Sequence, residues 1–142
     1  MIRTASRPPH APTLDRGPRA SLAAAGLLLA TIGASLLLDP QGFYGLGPEA
    51  DLALLSDLRA SGGALLGFAL LLGAGARFPT LAGSAALAGT VLFLAYGGAR
   101  LLAMVLDGMP PTAVLVATAI EWGAGALLLV TTARLVRASA TP

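Results

Sequence analysis

Four long apolar segments, separated by charged or helix-breaking residues, dominate the pattern of the chain. They run over residues 20–38, 58–76, 80–106 and 112–134. Each is close to the roughly 20 apolar residues that an α-helix needs to cross a ~30 Å hydrocarbon layer. Because lipid offers no hydrogen-bond partners, the backbone of each segment has to be satisfied within its own helix. The pattern therefore predicts an all-α integral membrane protein folded as a four-helix bundle.

The segments outside these spans predict tails and one sizeable loop around a single transmembrane domain over residues 20–136. Residues 1–19 are rich in Pro and Arg without apolar periodicity, which is typical of a disordered tail. Residues 137–142 predict a second short tail. The loop follows the first span, and its Gly and Pro residues break the helix. Residues 49–58, which follow Pro48, predict a helical turn or two on the membrane surface.

Composition agrees with a membrane location. Hydrophobic residues make up 56% of the chain and charged residues 11%, against about 25% charged in an ordinary soluble domain. The mean hydropathy is +0.79. The absence of cysteine excludes disulfides, iron–sulfur clusters and thiol catalysis.

The basic residues outside the spans lie on one side of the predicted membrane. All 9 are arginines, and those outside the spans lie in the tails and in the link between the second and third spans, namely Arg3, Arg7, Arg16, Arg19, Arg77, Arg134 and Arg137. The opposite loops carry acidic residues instead. The positive-inside rule predicts that both termini are cytoplasmic. No basic patch is interleaved with aromatic residues, so the sequence predicts a lipid bilayer as the partner and no nucleic acid.

Small residues in the spans predict how the helices pack. Lipid gives no hydrophobic drive for helix association, so close backbone approach at small residues is the main attraction available. Gly63 and Gly67 form a Gly-xxx-Gly pair in the second span. The residues predicted to mediate packing within the bundle are Gly62, Gly63, Gly67, Gly97, Gly98 and Gly125.

Three ionisable residues at membrane depth are the candidates for a site. An uncompensated charge near the bilayer centre costs ~2.5–3.5 kcal/mol on insertion scales, so Arg59, Arg100 and Glu121 require partners or water. Arg100 and Glu121 lie about 10 Å and 15 Å from the same surface at 1.5 Å per residue, and their side chains lean toward one level. We predict that the three form a cluster below the non-cytoplasmic surface, with Asp57 and Asp107 as partners at the edge.

Two interpretations of this cluster stay open. In the first, Arg100 and Glu121 form a charge pair that fixes helix register. In the second, the cluster is a pocket that binds an anionic or polar ligand through the arginines, or relays protons through Glu121. The spans contain no His, Cys or Lys that acts as a base or nucleophile, so no catalytic residue, metal site or cofactor is predicted.

Several of these residues resemble a known family. Asp57-Leu58-Arg59-Ala60-Ser61-Gly62-Gly63, then Gly98-Ala99-Arg100-Leu101, Asp107-Gly108-Met109-Pro110 and Glu121 are similar to the bacterial four-helix membrane proteins grouped as domain of unknown function 4345. The resemblance covers residues 22–136. It implies that Asp57, Arg59, Arg100, Asp107 and Glu121 form the family's polar signature and that the protein lies in the bacterial cytoplasmic membrane. It implies no activity. Ser61 replaces an aromatic residue of the family pattern, and Ala99 separates Gly98 from Arg100.

The sequence leaves two hypotheses for function. One is a structural or accessory subunit that packs with other membrane proteins or with further copies of itself, which predicts stable co-purification. The other is a small-solute or proton-coupled transporter that uses a pocket of Arg59, Arg100 and Glu121. An enzyme acting on a lipid or quinone is less favoured, because no set of residues supplies a nucleophile or holds a redox cofactor.

Overall fold

The computed structural model describes residues 14–140, with side chains described as far as residue 138. This range contains five helices and no strand: α1 (Arg16–Leu38), α2 (Pro40–Tyr44), α3 (Leu52–Arg77), α4 (Pro79–Asp107) and α5 (Thr112–Ala140). All except α2 are long and apolar enough to span a membrane. The prediction of an all-α membrane protein with four spanning helices is confirmed.

The long helices extend beyond the predicted apolar spans. α1 begins at Arg16, so residues 16–19 of the predicted tail are helical, and residues 1–13 of that tail lie outside the described residues. α5 continues to Ala140, past the predicted end at residue 134. Arginine and alanine are good helix formers, and the helices continue through them beyond the apolar segment.

The loop between the first two spans is shorter than predicted. The side chain of Asp51 accepts a hydrogen bond from the Ala53 N–H and caps α3, which therefore begins at Leu52. The predicted surface turn is thus the first part of a spanning helix. A separate short helix, α2, begins at Pro40, where Asp39 accepts from the Gly42 N–H, and it ends at Gly45 with φ of 63°.

The spanning helices pack as two antiparallel pairs. α1 packs most extensively on α3, and α4 packs on α5; α3 also contacts α4, and α1 makes smaller contacts with α4 and α5. Within the described range, no Cα atom of α3 lies within 8 Å of a Cα atom of α5. The terminal end of the bundle is the end at which α1 begins and α5 finishes. The loop end carries α2 and the link between α4 and α5.

The half of the bundle toward the terminal end is densely filled. Leu22, Leu72 and Leu128 are fully buried there, together with alanines of α4. A Cβ at Gly89 would meet methyl groups of Leu72 and Leu128 at 2.9 and 2.8 Å, so three helices converge on this glycine. The bundle is therefore closed at the terminal end.

Three of the predicted packing glycines lie at close helix contacts. A Cβ at Gly62 would lie 2.8 Å from the Gly33 carbonyl oxygen, which shows how closely α3 approaches α1. A Cβ at Gly97 would lie 2.8 Å from Nε1 of Trp122. A Cβ at Gly125 would lie 2.6 Å from the Leu94 side chain. The last two contacts set the register between α4 and α5.

The other three predicted packing glycines do not mediate contacts within the bundle. A Cβ at Gly63, Gly67 or Gly98 would meet nothing within 4 Å. Neighbouring residues on a helix differ by about 100° in direction, so the contact of Gly62 with α1 turns Gly63 away from it. The Gly-xxx-Gly pair of Gly63 and Gly67 accordingly faces away from the other helices, which corrects the prediction for these residues.

Candidate functional site

The structure joins Arg100 of α4 to Glu121 of α5. Arg100 Nε donates to Glu121 Oε1 at 2.9 Å and to Oε2 at 3.0 Å. The side chain of Glu121 is 14% exposed and that of Arg100 is 30% exposed. This ion pair supplies each charge with the partner that its depth requires.

Helix register and side-chain direction explain why these two groups meet. Arg100 lies seven residues before the end of α4, or about 10 Å from it, and Glu121 lies about 14 Å along α5. The Gly97 contact with Trp122 places the two residues at neighbouring levels. Helical side chains lean toward the helix N-terminus, so in an antiparallel pair Arg100 and Glu121 lean toward one another.

The pair leaves part of the guanidinium unused. Only Nε of Arg100 donates to Glu121, and the two Nη groups have no hydrogen-bond partner among the described residues. They are not buried either, since the described side chains include no buried nitrogen or oxygen without a partner. A guanidinium has five N–H donors, so four remain available for a further acceptor.

A cavity of about 480 Å³ lies beside the ion pair. Arg100 and Glu121 line it, as does Tyr96, while nearly all the remaining wall is apolar. The size falls within the ~300–1,000 Å³ that is usual for small-molecule sites. The apolar wall comes from α1, α3, α4, α5 and the link before α5, namely Leu28, Leu29, Ile32, Leu36, Leu65, Leu92, Phe93, Pro111, Ala113, Val114, Ala117 and Ile120.

The short helix α2 completes the cavity toward the loop end. Phe43 and Tyr44 line it, and their rings meet edge to face with centroids 5.2 Å apart. Neither ring was predicted as a site residue. A signal was present in the sequence, because Asp39 and Pro40 form a helix start and Gly45 a helix end.

The other predicted site residues lie apart from the cavity. Arg59 Nε donates to the Leu37 carbonyl oxygen at 3.3 Å, so Arg59 satisfies a free carbonyl in the last turn of α1. Asp57 and Asp107 are exposed and form no ion pair within the described residues. Of the five residues predicted as one cluster, the structure joins Arg100 to Glu121 and places the other three apart from them. No Cα atom of α3, the helix that carries Asp57 and Arg59, lies within 8 Å of a Cα atom of α5.

Neither the hydroxyl groups near the ion pair nor any group of metal ligands extends the chemistry of the site. The Thr118 hydroxyl donates to the Val114 carbonyl oxygen of its own helix at 2.8 Å, and Ser61 does not line the cavity. In the part of the chain that the structure describes, no three His, Cys, Asp or Glu side chains lie close enough to hold a metal ion. The chemistry of the site therefore consists of one guanidinium, one carboxylate and two phenolic hydroxyls against apolar walls.

Comparison with known proteins places the chain in a family. No curated protein and no solved structure matches it. A family model described as "Domain of unknown function (DUF4345)" matches residues 18–132, which include α3 and α4, most of α1 and α5, the cavity and the ion pair. This match covers most of the sequence, and the chain is a membrane-spanning member of the DUF4345 family.

Proposed function

We propose that the protein binds a small lipophilic molecule in the cavity, with a neutral hydrogen-bond acceptor of that molecule placed against Arg100. One observation carries the proposal: Glu121 holds the guanidinium through Nε while its four Nη–H donors stay unpartnered beside an apolar cavity. An N–H donor that lacks a hydrogen-bond partner beside apolar walls is costly, so a bound acceptor lowers its free energy.

The charge balance selects the class of ligand. The carboxylate of Glu121 neutralises the guanidinium of Arg100, so the site as a whole carries no net charge. Placing an anion there would bury a charge that has no counter-ion of its own, which is costly. A carbonyl, ether or hydroxyl oxygen accepts from the Nη groups without that cost, and the apolar walls hold the rest of the molecule.

The transporter and accessory-subunit hypotheses drawn from the sequence relate to this proposal in different ways. A pocket for an anionic solute relied on two arginines, but Arg59 donates to the Leu37 carbonyl oxygen and does not line the cavity. Transport of a neutral molecule through the same cavity stays a prediction. The role of accessory subunit also stays a prediction, and its surface would be the apolar faces that lipid otherwise covers.

Photolabelling in phosphatidylcholine nanodiscs tests the proposal. The probe is undecan-2-one with an alkyl diazirine in its chain, and the comparison probe is the diazirine alkane without the ketone. We expect the ketone to label peptides that line the cavity. In the variant Arg100→Met/Glu121→Leu, which removes both charges together, that labelling should fall at least tenfold, the loss expected for a hydrogen bond to a charged group.

Two variants that add the same bulky side chain, one inside the cavity and one outside it, distinguish blocking of the cavity from a general effect on the fold. Ala117→Phe places a ring in the cavity, whereas Ala119→Phe places the same ring on an exposed position of the same helix that does not line it. The first should abolish cavity labelling by the ketone and the second should not. Equal labelling of the cavity by ketone and alkane, or labelling that persists in Ala117→Phe, would refute the proposal.

A further inference from the structure

A groove at the terminal end of the bundle has the shape and charge of a lipid site. It lies between α1 and α3, whereas the cavity described above lies toward the loop end, and its volume is about 600 Å³. Arg19 of α1 and Arg77 of α3 line its mouth. The remaining wall is small or aliphatic, formed by Ala23, Gly26, Leu27, Ala30, Leu66, Ala69, Leu70, Gly73 and Ala76.

We propose that this groove binds one anionic phospholipid, with the headgroup phosphate between Arg19 and Arg77 and one acyl chain along the groove. The site is separate from the cavity, and the proposal does not depend on what the cavity binds. Basic pockets between spanning helices at the cytoplasmic surface are a recognised means of holding anionic headgroups.

The charges at the mouth match an anion. Arg19 and Arg77 are exposed, and neither forms an ion pair within the described residues. The guanidinium carbon of Arg77 lies 5.4 Å from the centroid of the Phe78 ring, a cation–π contact that restricts its position. Asp15 is the only acidic residue near this end of the described chain. The local potential is therefore positive, as an anionic headgroup requires.

The length of the groove matches one leaflet. On α1 it runs from Arg19 to Ala30 and on α3 from Arg77 back to Leu66, which is about 16 Å in each case at 1.5 Å per residue. Half of a ~30 Å hydrocarbon layer is about 15 Å. A partner helix would need a surface that crosses the whole layer, whereas an acyl chain anchored at the arginines needs only this length.

The groove has room because one of its two glycines, Gly73, is not used for packing. A Cβ at Gly73 would meet nothing within 4 Å, and Leu27 and Leu70 on the two rims are 70% and 76% exposed. Gly73→Leu therefore fills the groove without pressing α3 against α1. Gly67→Leu is the matched control, since Gly67 is equally open on the same helix but does not line the groove.

Native mass spectrometry of the full chain tests the site, with phosphatidylglycerol and phosphatidylcholine of identical acyl chains as probes. We expect one tightly retained phosphatidylglycerol. Arg19→Gln/Arg77→Gln should weaken its binding about 30-fold, which corresponds to about 1 kcal/mol for each arginine. Arg16→Gln/Arg134→Gln removes the same charge at the same end from residues that do not line the groove, and should change binding less than threefold.

Further variants and a competition experiment distinguish a bound lipid from other occupants of the groove. Gly73→Leu should abolish retention and Gly67→Leu should not. Glycerol phosphate at millimolar concentration should not displace the lipid, because it lacks the acyl chain. The proposal would be overturned if phosphatidylcholine were retained as well as phosphatidylglycerol, or if the two double arginine variants lost the same amount of lipid binding. It would also be overturned by unchanged lipid retention in Gly73→Leu, by displacement of the lipid by glycerol phosphate, or by a second protein copy bound in place of the lipid.

Discussion

Removing the carboxylate of the membrane-embedded ion pair gives the sharpest prediction. Glu121→Gln leaves the guanidinium of Arg100 without its counter-ion at a depth of about 10 Å, estimated from its position along α4. Breaking a buried pair on one side costs about 3–5 kcal/mol. Arg100 is 30% exposed, so we expect the lower end, about 3 kcal/mol of unfolding free energy and roughly 10 °C in Tm.

A double variant that removes both charges distinguishes the energy of the ion pair from the cost of leaving one charge unpaired. Arg100→Met/Glu121→Leu replaces both charges by apolar side chains, an exchange that is often neutral because no buried charge is left over. We expect its stability to lie within about 1 kcal/mol of the native chain. The single variants Arg100→Met and Glu121→Leu complete the cycle, and because each leaves one charge unpaired, each should cost about 3 kcal/mol. The coupling energy between the two positions is then about 3 kcal/mol or more.

The assay is reversible unfolding in mixed micelles, followed by far-UV circular dichroism. Asp107→Asn is the control, since it also neutralises a carboxylate but at an exposed position without an ion pair; its cost should stay within about 0.5 kcal/mol. If the single-variant costs simply add in the double variant, or if Glu121→Gln costs no more than Asp107→Asn, the reasoning about charge at this depth is wrong.

Three further predictions concern packing and the role of Arg59. Gly62→Ala should cost about 1–3 kcal/mol in the same unfolding assay, because its Cβ would lie 2.7 Å from a backbone nitrogen of α1, whereas Gly63→Ala, which meets nothing, should stabilise the helix by up to about 1 kcal/mol. Gly97→Ala should destabilise the native chain by about 1 kcal/mol or more but cost little in a Trp122→Ala background, where the indole atoms that it meets are gone. Arg59→Met should cost no more than about 1.5 kcal/mol and leave ketone labelling of the cavity unchanged, because it loses one exposed hydrogen bond outside the cavity.

The features that could be predicted from the sequence are those that depend only on distances along the chain. An apolar segment of about 20 residues bounded by charges defines a membrane crossing regardless of its neighbours. The meeting of Arg100 with Glu121 followed from two depths and from the lean of helical side chains, and both quantities depend only on position along a helix.

The features that did not follow depend on which helices touch. Arg59 lies at a depth that allowed a cluster with Glu121, but α3 turns that side chain to the end of α1 instead. In the same way, the choice between Gly62 and Gly63 as the packing residue is a rotation of about 100° that periodicity in an almost uniformly apolar helix does not reveal. The cavity itself arises where four helices and α2 meet, so no single segment indicates it.

The position of the ion pair distinguishes a purely structural role from a binding role. A charge pair that only fixes register is most favourable when packed side chains enclose it and all its donors are satisfied. The terminal half of the bundle shows that this chain packs tightly where it needs only cohesion, around Leu72, Gly89 and Leu128. Arg100 instead borders an open cavity with four N–H donors unpartnered. If the pair acted only on register, Arg100→Met/Glu121→Leu would preserve every property of the protein; we expect it to preserve the fold and lose the ligand.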